Sequence, residues 1–69
     1  MNQDVIEWLK EKYNIFCDVI EIDNNYYYKL YDIKTNNCIY ANYFKLMQRD
    51  TAEKEAIKKA FEYILNTKQ

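Results

Sequence analysis

Tyrosine is the side chain through which this chain has most scope to act. Six of its eight tyrosines, Tyr26, Tyr27, Tyr28, Tyr31, Tyr40 and Tyr43, crowd between positions 26 and 43. The chemistry they offer is recognition rather than turnover. A phenol presents a rigid apolar ring with a polar tip, gives contact area at small entropic cost, and is enriched where proteins meet. Side chains alternate faces along a strand, so consecutive tyrosines in a small sheet cannot all be buried. Whichever register holds, the face away from the core is expected to keep about three rings.

Other chemistries find little support. Histidine and serine are both missing, which removes the commonest general base, a frequent metal ligand and the serine nucleophile. No glycine is present to form a phosphate-cradling loop. Asp18, Glu21 and Asp23 lie close in sequence, but a solvated strand end accounts for them without a bound cation. Lys58 and Lys59 each have acids within one turn, as on a salt-laced helix surface. The expectation is a protein without catalytic residues, metal or cofactor.

A chain of 69 residues supports one domain, expected to span residues 1–69. At this size folding buries only about 60% of the unfolded surface, so the core is thin. With 49% of residues hydrophobic, the chain is too apolar for a disordered segment. A net charge of −1 gives no basic excess for neutralising phosphates, which makes nucleic acid the less favoured partner. The start, Met1-Asn2-Gln3-Asp4, carries an acid where a leader peptide needs positive charge. No apolar run approaches a bilayer span, so a cytoplasmic protein without membrane contact is expected. Cys17 and Cys38 read as small apolar side chains, with a bridge between adjacent strands left open.

With no Gly or Pro, asparagine supplies the punctuation, because its short polar side chain tolerates the left-handed region. Val5, Ile6, Trp8, Leu9 and Tyr13 recur at helical spacing, predicting a helix over Gln3 to Tyr13 with Asn14 as its left-handed cap. Ile15 to Ile22 reads as a first strand, with Ile15, Cys17 and Val19 alternating against Phe16 and Asp18. A turn at Asn24-Asn25 leads to a second, Tyr26 to Lys34. Burying Lys29 would be costly, so Tyr28 and Leu30 are expected inside and Tyr27, Lys29 and Tyr31 outside. After Asn36-Asn37 a third strand runs from about Cys38 to Leu46. Ile39, Ala41 and Tyr43 are expected inward there, with Tyr40, Asn42 and Phe44 outward.

Asp50-Thr51-Ala52-Glu53 has the spacing of a capping box opening a helix from Thr51 to about Asn66. Its apolar stripe is Ala52, Ala56, Ile57, Ala60, Phe61 and Ile64. Asp50 with Lys54 and Glu55 with Lys59 form acid-before-base pairs four apart. The order helix, strand, strand, strand, helix, with short turns, predicts an α+β two-layer sandwich. It has a three-stranded antiparallel sheet with both helices on one face.

That topology resembles the double-stranded-RNA-binding domain, whose closing helix has a similar small-residue rhythm to Ala52, Ala56-Ile57, Ala60-Phe61 and Ile64. The RNA-contacting residues do not carry over. Arg49-Asp50 stands where the family has paired lysines, and Asp23-Asn24-Asn25 where it has a glycine-containing loop. Trp8-Leu9-Lys10-Glu11-Lys12-Tyr13-Asn14-Ile15, Tyr26-Tyr27-Tyr28 and the helix from Ala52 to Leu65 resemble a group of small phage- and prophage-encoded proteins. Members of that group open the closing helix with an aromatic and two glutamates, where this chain has Thr51-Ala52-Glu53. The resemblance implies a mobile-element accessory protein that acts by occupying a host protein, for instance as an inhibitor of CRISPR or another defence system. It brings no catalytic residue.

The residues together predict a binding module whose contacts are Tyr27, Lys29, Tyr31, Tyr40 and Phe44, with a host or phage protein as partner. Two alternatives stay open. The same rings could stack on nucleic-acid bases, with Lys29, Lys45 and Arg49 on phosphates. Alternatively, the patch could pair with its own copy as a homodimer.

Overall fold

The computed structural model describes residues 1–67, and the element order is the one expected. Helix α1 (Asn2–Tyr13) turns Ile6 and Leu9 into the core. It stops where Asn14 adopts the left-handed conformation, φ 59° and ψ 34°, with its N–H directed to the carbonyls of Leu9 and Lys10. The Asn14 carbonyl then accepts the N–H of Ile33 at 2.9 Å, fastening the helix end to the far end of the first hairpin.

Strands β1 (Ile15–Ile22), β2 (Asn25–Asp32) and β3 (Asn37–Ala41) form an antiparallel sheet in that spatial order. The β1–β2 turn is Asp23-Asn24, one residue earlier than expected, with φ of 52° and 65°. Two consecutive left-handed residues suit the right-handed twist of a hairpin, and this placement pairs all eight residues of β1 with all eight of β2. β2 ends two residues early because the Asp32 carboxylate accepts the backbone N–H groups of Lys34 (2.9 Å) and Thr35 (3.4 Å), folding the chain into a turn. Asn36, φ 65°, completes that turn.

Helix α2 (Arg49–Thr67) begins two residues before the predicted Thr51, and the expected capping box does not form. Glu53 falls too deep in the helix to reach back to its start. Its carboxylate instead accepts the side-chain amides of Gln3 (2.8 Å) and Asn2 (3.2 Å), and Asn2 also donates to Asp50 at 2.7 Å. These charge-assisted bonds tie the N-terminal ends of the two helices together. Farther along, Trp8 and Phe61 lie 6.1 Å apart, so the helices run in the same direction. Trp8 is half-exposed in the cleft between the helices, edge-on to Tyr13, rather than submerged with Leu9. The Asp50–Lys54 pair forms at 3.0 Å, whereas Lys59 reaches Glu62 (3.5 Å) instead of Glu55.

Ile6, Leu9, Ile15, Cys17, Tyr28, Leu30, Ala56, Ala60 and Ile64 make one buried cluster, to which both helices contribute. The alanines on α2 let its backbone approach the sheet closely. Both helices therefore cover one face, and the other is left open, as the pattern predicted.

Asn24→Gly gives the hairpin its preferred second turn residue and removes the left-handed penalty. Urea unfolding is expected to show a gain of about 1 kcal/mol, whereas Asn24→Val is expected to lose at least as much.

Candidate functional site

The central strand sets the site. Tyr28 is 1% exposed and Leu30 0%, so alternation sends Tyr27, Lys29 and Tyr31 to the opposite face. Across from them on β1 stand Ile20, Asp18 and Phe16, in the pairs Tyr27–Ile20, Lys29–Asp18 and Tyr31–Phe16. One charged row thus lies between two apolar rows. On the other flank β3 places Ala41 beside Lys29 and Cys38 beside Tyr31. Phe16, Asp18 and Tyr31, with Lys10, Ile33 and Asn36, line a shallow depression of about 490 Å³. Phe16 and Ile20 were missing from the expected contacts. Their signal was their parity, opposite to that of Ile15, Cys17 and Val19.

Tyr40 is a correction. Expected on the open face, it lies on the helix side. The ladder pairs Leu30 with Tyr40 but Tyr31 with Cys38, so Ile39 is an extra residue in β3. A single extra residue reverses the parity of everything beyond it. Ile39 packs against the core. The Tyr40 ring stacks on Tyr28 at 5.9 Å, and Lys59 Nζ sits 4.9 Å from its centroid. By the same shift Ala41, expected inside, is on the open face, and Asn42, expected outside, is buried.

A second irregularity follows. Asn42 donates its N–H to the Tyr28 carbonyl at 2.9 Å, and Leu46 exchanges both backbone bonds with Tyr26, at 2.7 and 3.1 Å. Between these points residues 43–45 face Tyr27 alone, and the surplus chain is pushed outward. The predicted strand to Leu46 is therefore interrupted after Ala41. Tyr43, expected inside, is 85% exposed, and Phe44 is 76% exposed. Phe44 is outward as expected, but on a protruding edge rather than within a strand.

Of the five predicted contacts, Tyr27, Lys29 and Tyr31 come together, Phe44 is exposed in the segment that follows β3, and Tyr40 is on the other side of the sheet. The cations proposed for phosphates are not gathered on one face. Lys29 is on the open face, Lys45 is in the protrusion, and Arg49 lies over the Tyr26 ring at 5.4 Å on the helix side. Cys17 is buried, Cys38 is exposed, and both are free. β2 runs between their strands, a separation of about 9 Å that is too wide for a disulfide.

Burial pushes the Cys17 thiol from 9.0 up to about 11. Burial, with the Tyr40 hydroxyl and the Glu55 and Glu62 carboxylates nearby, pushes Tyr28 from 10.0 up to about 12. Neither group is poised as a nucleophile near neutral pH. Among the described residues no cluster of three or more His, Cys, Asp or Glu side chains is placed to hold a metal ion. None of the described helices is long and apolar enough to cross a membrane.

Both raised values favour the protonated group in the folded state. Their stabilisation is complete below pH 9 and is lost as pH climbs through 11 for Cys17 and 12 for Tyr28. Denaturant titrations are expected to show stability falling over that window. Tyr28→Phe should flatten the upper part and Cys17→Ala the lower part.

No family model matches this chain, and no curated protein or solved structure matches it either.

Proposed function

We propose that the chain is a small, non-catalytic binding module that docks on another protein through the open face of its sheet. Tyr27, Tyr31 and Phe16 are the ring anchors, Ile20 extends them, and Lys29 with Asp18 fixes orientation. Phe44 and Tyr43 lengthen the surface beyond the edge of β3. The observation that carries this reading is the pairing of Tyr27 with Ile20 and Tyr31 with Phe16 on a face that neither helix covers. Rings set on strands are held by the ladder, so they lose little freedom on binding, and a central cluster of aromatics is where binding energy concentrates.

The resemblance to phage- and prophage-encoded proteins supplies the setting. The chain acts in the cytoplasm of a host cell as an accessory protein, and its partner is a host protein, with a defence system such as CRISPR-Cas the sharpest version. Nucleic acid is the competing outcome that an assay must be able to report.

Capture from host lysate, with bound protein identified by mass spectrometry and affinity measured on the purified partner, tests the surface. Tyr27→Ala and Tyr31→Ala are each expected to weaken the complex by about tenfold or more while moving the melting temperature little. Tyr40→Ala is expected to do the reverse, because its ring leans on Tyr28. Affinity unchanged by both open-face substitutions would remove the proposal. Binding to oligonucleotides that declines steeply with salt would replace it with the nucleic-acid reading.

A further inference from the structure

The open face is specific about what can cover it. Lys29 on β2 and Asp18 on β1 stand side by side in its middle row. Among the described residues neither of them joins an ion pair. An apolar row lies on each side, Tyr27 with Ile20 and Tyr31 with Phe16. Anything that covers the apolar rows also takes the two charges out of water, and that is costly unless each is matched. The occupant therefore needs an acid over Lys29 and a cation over Asp18, one strand spacing apart, with apolar groups above and below. This chain meets that description itself.

We propose that the open face of the free chain is covered by the open face of a second copy, about a two-fold axis parallel to the strands and running between β1 and β2. Such an axis lays β2 over β1 of the second copy at the same height. Lys29 then faces Asp18 of the second copy and the reverse, so four charges alternate in sign around the axis. Tyr27 lies over Ile20 of the second copy and Tyr31 over its Phe16, so every apolar row covers an apolar row. A two-fold axis across the strands, through the charged row, sets Lys29 on Lys29 and Asp18 on Asp18. Repulsion between like charges selects against it. The chosen arrangement is an aligned packing of two sheets, with layers about 10 Å apart. At the Phe16–Tyr31 end the depression of about 490 Å³ gives the rings of the two copies room to interleave.

The charges fix the register, while the apolar rows supply the attraction. Only two strands of each sheet overlap, which places the contact at the small end of interfaces, about 1,200 Å² or less in total. The dimer is therefore reversible, and it shields the apolar rows of the free chain. It uses the same face as the docking of another protein, so the two exclude each other, but its test needs no partner protein.

Sedimentation of the purified chain across a concentration series is expected to show a monomer–dimer equilibrium. Lys29→Asp opposes acid to acid across the axis, and Asp18→Lys opposes cation to cation. Each alone is expected to weaken dimerisation by about tenfold or more. An equimolar mixture of the two variants is expected to dimerise again, because both contacts across the axis then join opposite charges. Each single variant also sets like charges side by side within its own sheet, so melting curves must accompany the measurement. Should either fail to fold, a chain carrying both changes keeps opposite signs within the sheet and across the axis, and is expected to dimerise like the parent. A parent chain that stays monomeric to millimolar concentration overturns the proposal. So does a mixture that associates no better than its components, or a doubly changed chain that remains a monomer. Restored dimerisation in the mixture alongside failed capture from lysate would remove the docking of another protein and keep the dimer.

Discussion

The burial of Tyr28 and Leu30 beneath two helices is the constraint on which the rest of the structure depends. Both belong to the strand that pairs on its two sides, so their parity is imposed on its neighbours. A slip of one residue would put Lys29 into the alanine-lined interior beneath α2, where losing water around an ammonium is costly. That penalty holds the register, and the register in turn sends Tyr27 and Tyr31 outward with Phe16 and Ile20 opposite. The layer of parallel helices, joined at their starts by Glu53, is wide enough for one face and no more.

The two irregularities of β3 change what the third strand contributes. One surplus residue at Ile39 moves Tyr40 from the outer surface onto Tyr28, where Lys59 covers its ring. The longer excursion at 43–45 turns two aromatic residues into a protrusion while returning Leu46 to the ladder and the core. The same distortions blunt the β3 edge. An open face of paired apolar rows is thus what this small sheet leaves uncovered.

Much of this was legible in the chain. The helical spacing of Ile6 and Leu9, the alanine rhythm of α2 and the asparagines near each left-handed turn marked the elements closely. The cost of burying Lys29 chose the right parity for β2. Strand three was misread from Tyr40 onward because alternation assumes one residue opposite one. An inserted residue leaves no local signature when the neighbouring side chains on both parities are apolar or aromatic. Phe16 and Ile20 were visible by parity, but attention to tyrosine passed over them. The role of Glu53 was misassigned because its partners, Asn2 and Gln3, come from the other end of the chain.

By itself the sequence determined the order of elements, the residues that break them and the side of the central strand that faces the helices. Those are matters of local torsional preference and of the solvation cost of single side chains, and neighbours along the chain suffice to set them. Only the tertiary structure decided where Tyr40 points and how far Tyr43 and Phe44 stand out. Each of these depends on how one strand is counted against another, and pairing between strands is settled by packing across the whole core.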